Sequence, residues 1–276
     1  MAGKVAFVTG GARGQGRSHA VRLAQEGADI ITVDLAADVD SVTGFYHLAT
    51  EEDLAETVRQ VEALDRRIVA TRTDVRDAAA LTAAVDQGVS QLGRLDAVVA
   101  NAGIFTFGHE THRIPEQSWH DLMDINVTGV WHTCSAATPH LIDGGRGGSI
   151  TLISSLAGFK GLANVAAYTT TKHGIVGLMK VLANELGPHG IRVNTIHPNA
   201  IDTPMIKNVS TYRLFRPDLD NPTADDAAPS FATLNPMEVP FIDPVHVSNA
   251  VLFLASDEAQ YVSGAMLPVD AAAAVK

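Results

Sequence analysis

Residues 167–174 read AYTTTKHG and set Tyr168 and Lys172 four positions apart at the head of an apolar stretch with helical spacing. Positions i and i+4 share one face of a helix, so the phenol and the ammonium are predicted neighbours. A free tyrosine, with its pKa near 10, is only about 0.1% ionised at neutral pH, and each unit of depression corresponds to about 1.4 kcal/mol. A cation nearby favours the phenolate, so the pair is predicted to act as a general base near neutrality. The plain alternative is an amphipathic tyrosine beside a surface lysine.

A second chemical signal is TGGARGQG at 9–16, which follows a short apolar run and leads into a helical stretch from Arg17. Gly10, Gly14 and Gly16 allow a tight turn and close approach of backbone to a pyrophosphate at a helix N-terminus. Asp34 ends the next apolar run, 18 residues beyond Gly16. Its carboxylate can accept hydrogen bonds from ribose hydroxyls and would repel a 2′-phosphate, which favours NAD over NADP. Arg13 stands in the same loop and could pair with a 2′-phosphate, with Asp34 or with solvent. Asp34 carries more weight, because a carboxylate on the ribose must be displaced or neutralised before NADP fits. The plain reading of Asp34 is a strand-end residue.

These residues need elements to hold them. Short runs rich in Val and Ile recur at 5–8, 29–34, 95–100, 149–154 and 191–198, with helical patterns such as SHAVRLAQEG and LTAAVDQGVSQLG between them. That alternation predicts an α/β chain: a single-domain, Rossmann-like, doubly wound parallel sheet with helices on both faces. No solenoid repeat or Ser/Gly-rich linker divides the chain. Two stretches break the pattern: an insertion at about 36–50, and residues 205–242, where Pro217, Pro222, Pro229, Pro236 and Pro240 alternate with aromatics. The second is predicted to be a partly ordered substrate lid.

Composition narrows the function. The chain has 276 residues and a net charge of −11, which argues against nucleic acid or anionic membrane as partners. Its one cysteine, Cys134, allows no intramolecular disulfide, and no apolar run approaches a membrane span, so a cytoplasmic protein is expected. His109 and His112 are three apart and lack the i+4 spacing of a zinc helix, so no metal is expected.

Taken together, the motifs resemble the short-chain dehydrogenase/reductase family: TGxxxGxG at 9–16, Asp74-Val75, NAG at 101–103, Asn126 in DINVTG, ISS at 153–155, YxxxK at 168–172 and HP followed by Thr203. The resemblance implies a catalytic set of Asn126, Ser155, Tyr168 and Lys172, with Asn126 holding a water in a proton path. Ser155 lies 13 residues before Tyr168, the family's spacing, and is chosen over Ser154. The resemblance also assigns Asp74 and Val75 to an adenine pocket, Asn101 to the cofactor ribose region and Thr203 to the nicotinamide carboxamide. Gln15, Ala102, Gly103, Pro198 and Ile201 join them as cofactor-binding positions. Where the family has HPG or NPG this chain has HPN at 197–199, so a changed turn is expected at Asn199.

The insertion resembles an actinobacterial, carveol dehydrogenase-like subgroup linked to the redox peptide mycofactocin, in which NAD is held tightly. Its plain reading is a surface loop leading into a solvated amphipathic helix. The implied reaction interconverts a secondary alcohol and its ketone by hydride transfer, with Tyr168 as base or acid, Lys172 stabilising the phenolate and Ser155 bonded to the substrate oxygen. Phe105 and Phe107 read equally as lining of an apolar pocket or as ordinary packing, while lid residues such as Tyr212, Leu214, Phe215 and Phe231 suggest an apolar substrate, alicyclic or terpenoid. Alternatives are a 3-oxoacyl or other ketoreductase using NAD(P)H and, from another class, a non-catalytic NAD-binding redox sensor. The resemblance further implies a homotetramer and, for a retained cofactor, an external redox carrier.

Overall fold

The computed structural model describes residues 1–276. The first apolar run becomes β1 (Val5–Thr9), and its alternating side chains enter two different cores, Val5 and Phe7 on one side and Ala6 and Val8 on the other. A strand covered on both faces has no polar side to show, which is why the run is continuously apolar. With β2 (Asp29–Asp34), β3 (Ile68–Arg72), β4 (Ala97–Ala100), β5 (Gly148–Ile153), β6 (Ile191–Pro198) and β7 (Met266–Val269), it builds a seven-stranded sheet in the order β3-β2-β1-β4-β5-β6-β7. Every pairing is parallel. The five predicted strands are present; the two edge strands, β3 and β7, are additions to that reading.

Helices cover both faces. In chain order they are α1 (Gly14–Gln25), α2 (Asp40–Thr43), α3 (Glu51–Glu62), α4 (Ala78–Leu92), α5 (Glu116–Met123), α6 (Gly129–Gly144), α7 (Ala166–Leu186), α8 (Val209–Phe215), α9 (Ala224–Ala232) and α10 (Pro244–Ala255). Leu23 of α1 and Val251 of α10 share one core, and Leu81 of α4, Cys134 of α6 and Ile175 of α7 share the other.

Residues 36–50 leave β2 through α2 and return through α3. Thr50 and Asp53 start α3 with reciprocal hydrogen bonds between side chain and backbone. Val39, Val42 and Tyr46 of this insertion are buried in the main core. Residues 205–242 hold α8 and α9, which pack Tyr212, Ala227 and Phe231 into a small core of their own. The Ser210 hydroxyl faces the Gly44 carbonyl at 3.4 Å, so this segment touches the insertion. No helix is long and apolar enough to cross a membrane.

Candidate active site

The strand order reverses between β1 and β4, and in a doubly wound sheet the crevice at such a point, beyond the carboxyl ends of the strands, is the natural ligand site. The glycine loop forms one wall. Gly10 has φ +71°, and a Cβ there would meet Ala102 Cα at 2.8 Å; one on Gly16 would meet the Gly10 carbonyl oxygen at 1.9 Å. The loop therefore packs directly on itself and on residues 101–102. Asn101 secures that contact, its Nδ2 donating to the Thr9 carbonyl at 3.0 Å and the Gly10 carbonyl at 3.3 Å. The amide is thus spent on the loop, a role the sequence did not disclose.

Arg13 precedes α1 with no side-chain cap, and the first turn has no acidic residue. The free N–H groups of that turn fit a pyrophosphate. The Gln15 side-chain oxygen is buried with no partner. Asp34 accepts from Ala12 N and Ala36 N at 3.0 Å each, one bond per carboxylate oxygen, which leaves lone pairs for ribose hydroxyls. Burial raises its pKa, opposed by those two N–H bonds and by Arg13. Arg13 itself bonds the His47 carbonyl of the insertion, not the Asp34 carboxylate. Asp74 holds Arg76 through both carboxylate oxygens. Burial raises the Asp74 pKa, but the Arg76 bonds outweigh it and leave it below its ordinary value.

At the other end of the cleft Tyr168 and Lys172 sit on the first two turns of α7. The Lys172 Nζ lies 5.4 Å from the centre of the Tyr168 ring and donates to the Ile153 carbonyl at 2.9 Å. The two side chains are neighbours, with the ammonium over the ring, but the lowered phenol pKa expected of the pair is overturned by burial. Burial is the larger influence on both: the phenol is pushed up to about 12, against a lowering hydrogen bond from Ser155, and the lysine down to about 8.

Ser154 and Ser155 separate cleanly. The Ser154 hydroxyl donates to the Lys172 carbonyl at 3.0 Å, whereas Ser155 Oγ accepts from Ala157 N at 3.1 Å and stands against the Tyr168 phenol. His197, at the end of β6, holds the Ser155 carbonyl at 2.8 Å through Nδ1. A carbonyl only accepts, so Nδ1 carries the proton, and Nε2 faces the Thr195 hydroxyl at 2.9 Å. Burial keeps the imidazole neutral, with its pKa lowered to about 4.

Asn126 is fully buried in a single π-helical turn, Asp124–Thr128, between α5 and α6. Its amide clamps both backbone groups of Ile104, accepting from N at 2.8 Å and donating to O at 2.9 Å. Of the sequence-nominated positions, Gly10, Arg13, Gly14, Gln15, Gly16, Asp34, Asp74, Val75, Asn101, Ala102, Gly103, Tyr168, Lys172 and Thr203 line one cleft; Asn126, Ser155, Pro198 and Ile201 do not line it, and of the two serines it is Ser154 that does. Phe107 is buried outside the cleft, and Phe105 reaches it only through its ring contact with Tyr168. Tyr46 and Leu48 of the insertion and Met205, which opens the segment 205–242, line the cleft as well. No motif marks them, because their approach depends on how two long loops fold back.

A model of short-chain dehydrogenases matches residues 4–213. The chain belongs to the short-chain dehydrogenase family. Among its relatives, the (-)-trans-carveol dehydrogenase of Rhodococcus erythropolis is 52% identical over 274 residues, covering 99% of this chain and 98% of that one. A 3-alpha-(or 20-beta)-hydroxysteroid dehydrogenase of Mycobacterium tuberculosis is 37% identical over 271 residues, 98% of this chain and 89% of that one. The crystal structure of carveol dehydrogenase from Mycobacterium avium in complex with NAD superposes with a TM-score of 0.98 at 56% identity, covering 100% of this chain and 99% of that one. A short-chain dehydrogenase therefore accounts for the whole length of the sheet and for both long loops.

Proposed function

We infer that this short-chain dehydrogenase is an NAD-dependent oxidoreductase that interconverts a secondary alcohol and its ketone. The observation that carries the reading is a single cleft with Asp34 and the bare N-terminus of α1 at one end and Tyr168 and Lys172 at the other, the Tyr168 phenol bonded to Ser155. NAD, when bound, supplies the two-electron acceptor and, in its oxidised form, a positive charge.

The chain's own residues do the rest. Tyr168 takes the proton from the substrate hydroxyl in one direction and returns it to the carbonyl oxygen in the other. Ser155 donates a hydrogen bond to that same oxygen, and His197 fixes the serine by holding its carbonyl. Lys172 keeps a positive charge over the Tyr168 ring. Asn126, clamped on Ile104, holds the floor of the site. Asp34 selects a ribose with a free 2′-hydroxyl.

The substrate is an alicyclic alcohol of the carveol kind. Two of the relatives are named for a hydroxyl borne on a ring, carveol and a hydroxysteroid, and Met205 with Val39, Tyr46 and Leu48 of the insertion presents apolar side chains to the cleft, whereas Tyr212, Phe215 and Phe231 pack in their own cluster and Leu214 is exposed. Residues 205–242 act as the lid over that substrate. The insertion at 36–50 retains NAD tightly, with a separate redox carrier re-oxidising it; Arg13 bonded to His47 supports such a cover. A homotetramer built through α6, α7 and the C-terminal segment is supported by Trp131 and Val181, each 52% exposed, and by Tyr261, 91% exposed. An acidic chain whose one cysteine is buried suits the cytoplasm.

Tyr168→Phe tests the reading: turnover of carveol should be lost while NAD stays bound, and retained turnover would overturn it. Denaturing protein purified without added cofactor and identifying the released nucleotide by mass spectrometry tests retention; an empty protein would remove the tight-binding claim.

A further inference from the structure

Phe45 and Tyr46 belong to the insertion, far in sequence from α7, yet both grip the segment that follows β4. The Tyr46 hydroxyl accepts the Phe105 N–H at 3.0 Å, and the Phe45 ring lies 4.8 Å from that of Phe107, centre to centre. Thr106, between the two phenylalanines, is held as well, its hydroxyl 3.0 Å from that of Ser118 on α5. The Phe105 ring then meets Tyr168 edge to face, at 4.7 Å between centroids and 66° between planes. Tyr46 is buried, and it lines the same cleft as Tyr168 and Met205.

An aromatic side chain one ring away from the proton-exchanging group sets the shape of the space in front of it. A rigid ring substrate gains from a wall already in place, whereas a flexible chain can follow a wall that moves. Phe105 is only partly buried, so its position depends on what holds its backbone. That hold comes from the insertion.

We propose that Tyr46 is a positioning residue for substrate selection: through its hydroxyl it fixes Phe105 against Tyr168 and so favours rigid alicyclic alcohols and ketones over flexible chains. This rests on the reading of Tyr168 as the group that acts on a secondary alcohol. It makes the insertion part of the substrate site as well as a neighbour of the cofactor.

The test compares wild type, Tyr46→Phe and Phe105→Leu as full-length protein saturated with NAD. Dissociation constants for carvone and for 2-octanone are measured by calorimetry, and exchange of the Phe105 amide is followed by hydrogen exchange. In Tyr46→Phe, carvone binding should weaken about tenfold, the scale of a pocket-shape change, while 2-octanone stays within about twofold. The Phe105 amide, having lost its acceptor, should exchange faster. Phe105→Leu should show the same selective loss, and the double variant should add little to it, since the two residues act as one unit. Equal weakening of both ketones, or unchanged exchange at Phe105, would overturn the proposal. Should Tyr46→Phe fold poorly, Phe105→Leu decides: carvone binding unaffected there would also overturn it. If wild type turns over no secondary alcohol yet Tyr46→Phe weakens carvone selectively, the reaction assignment fails and the role of Tyr46 stands.

Discussion

The Lys172 ammonium stands over the face of the Tyr168 ring, 5.4 Å from its centre, and is tied to the Ile153 carbonyl at 2.9 Å. Burial lowers this lysine from 10.5 to about 8. Below pH 8 both folded and unfolded chains hold the proton, and the folded chain bears the full cost of the buried charge. Between pH 8 and 10.5 the unfolded chain binds more protons, so this position's penalty fades as pH rises. That shift corresponds to roughly 3 kcal/mol. Lys172→Met should therefore raise the unfolding temperature at pH 7, by less than the full amount because the Ile153 carbonyl loses a donor worth about 1 kcal/mol. Thermal unfolding at pH 7 and pH 10 should show the advantage shrinking; a variant less stable than wild type at pH 7 contradicts this account.

The phenol of Tyr168 is pushed up to about 12 in the chain alone, so at neutral pH it is a proton donor, ready for the reductive direction. Alcohol oxidation needs the phenolate, whose fraction grows up to about tenfold per pH unit below the pKa. The kcat/KM for oxidation should climb from pH 6 to pH 7.5, below the point at which Lys172 gives up its own proton, while that for ketone reduction stays level over the same range. An oxidation profile that falls over this range would point to a different base.

Asp34 joins the Gly loop to the residues after β2 through Ala12 N and Ala36 N. Asp34→Ala removes the charge that opposes a 2′-phosphate, and it also removes an anchor of the loop. NAD should bind more weakly and NADP relatively better, shifting their affinity ratio by at least about tenfold, or 1.4 kcal/mol. Calorimetric titration with each dinucleotide measures the ratio. An unchanged ratio would mean that Asp34 is only a strand-end residue.

The central strands and the site residues were legible for different reasons. β1 is buried throughout, so its apolar run stands out, whereas β3 carries the exposed Arg72 and β7 contains Pro268. Both unread strands lie at the sheet edges, where one side needs no partner and mixed composition hides the pattern. Tyr168, Ser155 and Asp34 could be nominated because their chemistry depends on residue type and spacing. Tyr46 and His197 act through tertiary hydrogen bonds to Phe105 and Ser155, which no local pattern records.

Asn199 was the expected site of an altered turn, yet the left-handed backbone falls one residue later, on Ala200 at φ +47°. Ala200 also accepts the Ile242 N–H at 2.9 Å, which ties the end of β6 to the segment before α10. A Cβ in this region costs about 1–2 kcal/mol, partly offset by the greater unfolded-state freedom of glycine, about 0.4–1 kcal/mol. Ala200→Gly should thus stabilise by up to about 1 kcal/mol. Urea unfolding with an unchanged m-value measures it; a destabilised variant would show that the methyl group packs usefully.

Phe231 is the hub of the small core of residues 205–242, 4.3 Å from Phe215 and 4.8 Å from Phe241 between ring centres. That cluster is separate from the two large cores flanking the sheet. Phe→Ala in a packed interior costs about 3–5 kcal/mol, and here the loss falls on a unit that can open by itself. Phe231→Ala should consequently gain rapid proteolytic cleavage within residues 205–242, while the remainder of the chain keeps its unfolding transition. Because Met205 lines the cleft, the KM for carveol should rise more than kcat falls. Cleavage spread across the whole chain would show that residues 205–242 are instead part of one cooperative fold.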